Sequence, residues 1–199
     1  MEHNLPYAHE HEQLSFLEAI KSVKPNILIG ATGAPGTFTE EVIKQMSAIN
    51  DRPSIFALSN PTSRAECTAE QAYTWSNGKA IFASGSPFGK VVFNNEIFQP
   101  GQGNNAYVFP GIGLGAINVD AQTIPDDLFL VAAKTLAKMV KEEDIKFGSL
   151  YPKLSEIRNI SLEIAISVAE KSFELGIAQI EKPKDLRKHI SDYMFDPNY

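Results

Sequence analysis

The stretch Ile55-Phe-Ala-Leu-Ser-Asn-Pro-Thr62 decides how this sequence folds. Its apolar run suits a fully buried strand, and the run stops at Ser59-Asn60, before a proline that has no N–H to continue a ladder. In open α/β sheets, ligands bind at the carboxyl ends of strands. A buried strand that ends on an amide therefore makes Asn60 the first candidate site residue.

The same grammar recurs on both sides. Upstream, Asn26 to Ile29 reads as a strand that runs into Gly30-Ala-Thr-Gly-Ala-Pro-Gly36. A Thr37/Glu40 capping box then starts a helix with Val42, Ile43, Met46 and Ile49 facing inward. Downstream, Thr68 and Gln71 cap a helix reaching about Ser76, and Ala80 to Ser84 is a third strand ending in Gly85-Ser-Pro-Phe88. Parallel strands need crossovers of this length, so a right-handed βαβαβ run is the simplest topology. All three exits then line one edge, and Gly30 to Gly36, Ser59-Asn60 and Ser84 to Ser86 share a crevice. A glycine turn before a helix N-terminus suits phosphate. The spacing here is Gly-x-x-Gly-x-x-Gly, which a plain tight turn fits at least as well as a dinucleotide contact.

Around this unit, Phe16, Ile20 and Val23, with Leu17 beside them, mark one face of a short helix ending before Pro25. Val91 to Phe93 and Glu96 to Phe98 flank Asn94-Asn95 as a hairpin at the surface. Pro100-Gly-Gln-Gly-Asn-Asn105 has neither a helical nor a strand period. Its paired amides either brace the loop or face a ligand. The remainder reads as helix: Asp126 to Lys141, Leu154 to Leu175 with Gly176 as its stop, and Pro183 to about Met194. Ile157, Ile160, Ile164, Val168 and Leu175 form the inward stripe of the long helix. His189, beside Lys188, reads as a surface residue.

Composition narrows the function. With 199 residues, 43% of them apolar, the chain can bury one sizeable core. A net charge of −6 without blocks of like charge argues against nucleic acid or an anionic membrane as partner. No apolar run approaches the ~20 residues of a membrane span, and the first residues lack the apolar core of a signal peptide. The single cysteine, Cys67, suits a reducing compartment and reads as a small buried hydrophobe. His3, His9 and His11 invite a metal hypothesis, but no Cys or further His nearby completes a shell, and an exposed entry segment is the preferred reading.

Four segments together carry a resemblance. Phe56-Ala-Leu-Ser-Asn-Pro-Thr62, Ala65-Glu-Cys-Thr-Ala-Glu70, Phe82-Ala-Ser-Gly-Ser-Pro-Phe88 and Pro100-Gly-Gln-Gly-Asn-Asn105 with Tyr107-x-Phe-Pro-Gly111 resemble, in order, the carboxyl-terminal part of malic enzymes. The match runs from about Pro6 to the end and includes Leu150-Tyr-Pro152. The resemblance implies a partial Rossmann-like α/β domain of about three parallel strands with covering helices and a C-terminal helical extension. It implies oxidative decarboxylation of L-malate to pyruvate and carbon dioxide with NAD or NADP and Mg²⁺ or Mn²⁺. It makes Asn60 a malate ligand close to the nicotinamide, and Asn104 and Asn105 the second malate contact, with Asn105 preferred. Gly30, Ala31, Thr32, Gly33, Leu58, Ser59 and Gly85 would line the nicotinamide side. An amide can donate to a carboxylate or hydroxyl without adding a titrating charge beside a metal.

In that family the tyrosine acid, the lysine base, the malate-gripping arginine, the metal-binding carboxylates and the first glycine fingerprint precede the matched region. Residues 1–199 would therefore be a partial NAD(P)-binding domain, without the N-terminal catalytic part or the first half of the sheet. The expectation is a truncated product, partial gene model or excised fragment with an exposed sheet edge and no turnover of its own. A complete enzyme would be a dimer or tetramer in the cytosol, or alternatively in a mitochondrial or other organelle matrix. The competing reading is a non-catalytic binding or interaction module on the same fold.

Overall fold

The computed structural model describes residues 12–195 together with Leu5, Pro6, Ala8 and Glu10. The three candidate metal-binding histidines, His3, His9 and His11, lie outside the described residues. Helix α1 (Phe16–Val23) opens on a capping box between Ser15 and Glu18 and ends at Lys24, which is left-handed at φ 51°. Strand β1 (Ile27–Gly30), helix α2 (Glu40–Ile49), strand β2 (Ser54–Ala57), helix α3 (Ala69–Trp75) and strand β3 (Ile81–Ser84) then follow as the expected βαβαβ run. All three strands pair in parallel. Strands β4 (Val91–Phe93) and β5 (Glu96–Phe98) form the hairpin. Asn94 and Asn95 take φ of 51° and 64° at its turn, which is the backbone a two-residue hairpin loop demands.

A fourth strand was not foreseen. Gly101–Gln102 (β6) adds in parallel to β3, giving the order β1-β2-β3-β6. Two residues carry no readable period; main-chain pairing holds them. Gly101 is buried, and a β-carbon there would come within 3.3 Å of the Tyr151 ring.

Side chains alternate across a strand, so the two faces of the sheet can be separated. One face carries Leu28, Ile55 and Phe82, at 7%, 0% and 0% exposure, packed with Ile20, Val42, Ile43, Met46 and Tyr73 of the three preceding helices. The other carries Ile27 and Ile29 of β1, at 52% and 62% exposure, with Phe56 and Ile81 half-buried and Ala83 of β3 buried. Ser54 N and Leu58 N donate to Asn26 O and Gly30 O. By the alternation of a parallel ladder, the main-chain groups of Ile27 and Ile29 point away from β2, toward an edge that no other described strand covers.

Helices α4 (Phe109–Asn118), α5 (Asp126–Lys138), α6 (Glu142–Lys146), α7 (Ile157–Glu174) and α8 (Leu186–Tyr193) complete the chain. Ile160, Ile164 and Val168 of α7 are fully buried, with Leu128, Ala132 and Leu136 of α5 and Ile112 of α4. Helix α4 lies close on α7 because Gly111 and Gly115 have no side chains. A β-carbon on Gly111 would meet Ile164 at 2.6 Å, and one on Gly115 the Ala165 carbonyl at 2.5 Å.

Several expectations are corrected. The cap of α2 is Thr39, whose side chain accepts from Val42 N; Thr37 donates to Ala34 O, because Phe38 is drawn into the core between them. Of the apolar face expected on α1, Ile20 is buried, whereas Phe16 and Val23 are 42% and 73% exposed. Leu175 leaves the core stripe of α7 at 39% exposure, since it is the C-cap just before Gly176 (φ 68°). That helix begins at Ile157, after a 3₁₀ turn over Leu154–Glu156, and α5 stops at Lys138, short of the expected Lys141. The last helix is shorter than expected, capped by Asp185. Helices α4 and α6 were not foreseen.

Candidate functional site

The exits of β1, β2, β3 and β6 leave from one edge of the sheet. Gly85, at the end of β3, sits so close to β2 that a β-carbon would stand 2.2 Å from the Leu58 carbonyl oxygen. Only glycine fits there. Gly103, past β6, donates to Ser84 O at 2.8 Å, and a β-carbon on it would meet Leu58 Cδ2 at 3.0 Å. Leu58 and the glycines of the two neighbouring exits thus form one wall.

Asn60 is exposed beyond β2, and its Oδ1 accepts from the Ser86 hydroxyl at 2.7 Å. That bond ties the second exit to the third and assigns Nδ2, which has no bond to a described residue, as the free donor. Asn104 and Asn105 differ. Asn104 Oδ1 accepts from Ala106 N at 2.8 Å and caps the 3₁₀ turn Asn105–Tyr107. Asn105 is exposed, and its side chain makes no hydrogen bond to a described residue.

The glycine turn is not a phosphate cradle. Thr32 N donates to Glu66 Oε1 at 2.9 Å, Gly33 N to Ser59 Oγ at 2.8 Å, and Ala34 N to Thr32 Oγ1 at 3.1 Å. Three successive amides that could have met an anion are used internally. Glu40 and Glu41 already occupy the first turn of α2, where an anion would otherwise profit from the helix dipole. Arg64 Nη1 stands 3.9 Å from the position a β-carbon on Gly33 would take. Thr32 and Gly33 are exposed, so the turn offers a fixed wall and not a nest of free donors. Gly30 itself is buried, and Glu66 and Phe38 fill the space a side chain there would need. Ala31 is exposed at the start of the turn.

Glu66 is the residue that sequence reasoning missed. It lies inside a motif noted above, but its role follows from the fold. Its carboxylate, at 0% exposure, accepts from Thr32 N, Thr32 Oγ1, Ser59 N and Ser59 Oγ. Burial raises the carboxyl, but the bonds from Ser59 and Thr32 outweigh that and hold it below its ordinary range. The readable signal was a charged side chain between Ala65 and Cys67 in a run of small residues. Cys67 is buried, and burial, with the Glu66 charge adding, pushes its thiol up to about 12. It is an inert packing residue. No group of three or more His, Cys, Asp or Glu side chains among the described residues could hold a metal ion, and no described helix is long and apolar enough to cross a membrane.

A parallel βαβαβ sheet with glycines and amides gathered at its carboxyl edge is the arrangement shared by dinucleotide-binding α/β domains. The family is narrower. Residues 1–173 match the family model of the malic enzyme NAD-binding domain. The NADP-dependent malic enzyme of Populus trichocarpa is 52% identical over 196 residues, 98% of this chain and 33% of that protein. The chloroplastic NADP-dependent malic enzyme of Oryza sativa is 50% identical over 98% of this chain and 31% of its own length. Among solved structures, the malic enzyme of Entamoeba histolytica superposes with a TM-score of 0.68 at 27% identity, covering 89% of this chain and 32% of that one. That of Pyrococcus horikoshii Ot3 gives 0.63 at 26%, covering 84% and 34%. The chain belongs to the malic enzyme family, and it spans about a third of the length of the curated relatives it matches.

Proposed function

We propose that this chain supplies the nicotinamide-side wall and part of the malate site of an enzyme that oxidises and decarboxylates L-malate to pyruvate and carbon dioxide. The single observation that carries the reading is Asn60. With Oδ1 taken by Ser86, its Nδ2 is a neutral donor beside the wall formed by Leu58, Ser59 and Gly85. Asn105, free of the capping duty that occupies Asn104, is the second donor to malate. NADP, the cofactor named for the plant relatives, is preferred over NAD; when bound, it accepts the hydride from carbon 2 of malate. Ala31 to Gly33 and Leu58 to Asn60, with Gly30 buried behind them, would contact the nicotinamide and exclude water from it.

Among the described residues no group of three or more His, Cys, Asp or Glu could hold a divalent ion; the reading places the Mg²⁺ or Mn²⁺ donors, the general acid and base, and the arginine for malate in sequence outside residues 1–199. These residues are then one part of the NAD(P)-binding domain. The complete enzyme is a dimer or tetramer in the cytosol or in an organelle matrix.

The test is malate-dependent reduction of NADP or NAD with Mn²⁺, comparing the 199-residue chain with a form extended upstream at its locus. Turnover is expected only in the longer form, with kcat/KM for malate lowered about 100-fold by Asn60→Ala and less by Asn104→Ala than by Asn105→Ala. Turnover by the short chain alone would overturn the division of labour. Inactivity of both forms, with the short one folded, would favour the binding module.

A further inference from the structure

Glu66 does more than fill the space left by Gly30. Four donors converge on its carboxylate: Thr32 N and Thr32 Oγ1, each at 2.9 Å, Ser59 N at 3.4 Å, and Ser59 Oγ. Each hydroxyl gives its only proton to the carboxylate and so turns a lone pair outward. Ser59 Oγ then receives Gly33 N, and Thr32 Oγ1 receives Ala34 N. The main-chain carbonyl of Glu66 takes Phe38 N at 3.1 Å, closing the far end of the same turn. Every amide from Thr32 to Ala34 is therefore oriented by one buried side chain, directly or through one hydroxyl. Ser59, held at both N and Oγ, is the residue before Asn60.

We propose that Glu66 is a positioning residue for hydride transfer, setting the turn after β1 and the exit of β2 at fixed separation so that the nicotinamide ring and the malate held by Asn60 meet at reacting distance. The inference rests on the malic enzyme reading above. It differs from a mere brace of the fold in what it predicts. Hydride transfer requires near-contact of the reacting carbons, and a displacement of about 1 Å can cost on the order of 100-fold in rate. A loosened wall slows that step even where the protein stays folded and binds malate normally.

Glu66→Gln keeps the volume but offers one acceptor oxygen where four donors converge, and it adds an NH₂ among them. Thr32→Val removes one hydroxyl and leaves Glu66 otherwise bonded. In the complete enzyme, with Mn²⁺ and NADP, Glu66→Gln is expected to lower kcat about tenfold or more while KM for malate moves less than about twofold. The kinetic isotope effect with malate deuterated at carbon 2 should rise as hydride transfer becomes the slower step. Thr32→Val should shift both in the same direction by a smaller factor. Folded variants with wild-type kcat and isotope effect, differing only in melting temperature, would reduce Glu66 to a fold brace and overturn the proposal. If Glu66→Gln does not fold, Thr32→Val decides alone: a raised isotope effect supports the proposal and an unchanged one overturns it. A wild-type complete enzyme that reduces no NADP with malate would overturn the functional reading, and this inference with it.

Discussion

The two ends of one face of the sheet differ. Leu28, Ile55 and Phe82 disappear under three helices on the covered face; on the other face Ala83 of β3 is buried and Phe56 and Ile81 are half-buried, whereas Ile27 and Ile29 of β1 stand half or more exposed. Parallel sheets are normally covered on both faces, because each strand buries residues on both. The alternation along β1 is that of a half-solvated strand, yet its residues are isoleucines where an exposed face would carry polar groups. Two exposed isoleucines suit a covered position, and their main-chain groups are unpaired at the adjoining edge of the sheet. Among the described residues the β1 edge of the sheet is unpaired beside these exposed isoleucines, and a protein extended upstream is expected to cover both.

The contrast can be broken from the covered side. Phe82→Ala removes a fully buried ring that also contacts Tyr73 and Phe88 edge-on, and should cost about 3–5 kcal/mol in denaturant unfolding. A change below about 1 kcal/mol would mean that the covered face is not the core. The next effect is acid sensitivity at the rim where the strands exit. Burial raises the Glu66 carboxyl, and its hydrogen bonds lower it further, to below the ordinary 4.5. The native state therefore holds this proton less readily than the unfolded chain. Its contribution is complete above the unfolded value and is lost as the pH falls through the folded one, so stability should drop on acidification below about pH 4.5. In Glu66→Gln that part of the slope should vanish; an identical slope would assign the acid sensitivity to other carboxylates. The smallest effect on the short chain is expected from Ile29→Lys on the bare face, within about 0.5 kcal/mol, with less self-association in sedimentation. In the upstream-extended protein the same substitution should be strongly destabilising, and equal behaviour in both would leave the face without a cover.

How far the sequence was legible follows the same division. The Thr68/Gln71 capping box and the strand over Ala80 to Ser84 are local signals that stand to within a residue, whereas the strand expected over Ser54 to Ser59 ends at Ala57 and alternates between buried and half-buried residues. Strand β6 was illegible because two residues beside glycines are held by pairing with β3, not by their side chains. Helix α4 was hidden by Gly111, Gly113 and Gly115, each costing about 1 kcal/mol in a helix by propensity. Close packing on α7 overrides that cost, and the glycines that argue against a helix are what permit the contact. In the candidate site, the convergence of the exits was readable from topology. The internal use of the turn amides was not, because it depends on Glu66, which lies 34 positions from Thr32 in sequence. The shift of the α2 cap from Thr37 to Thr39 has a related origin, since Phe38 is pulled inward and its N–H goes to Glu66.

The most direct test of the account is amide hydrogen exchange at Ile27 and Ile29, compared between the 199-residue chain and the upstream-extended protein. Their N–H groups should exchange rapidly in the short chain, while Leu28, bonded within the sheet, is protected. In the longer protein Ile27 and Ile29 should gain protection of about 100-fold or more as the edge is paired and the face covered. Equal exchange of Ile27 and Ile29 in the two proteins would contradict the claim that the bare side of this sheet is where the rest of the enzyme docks.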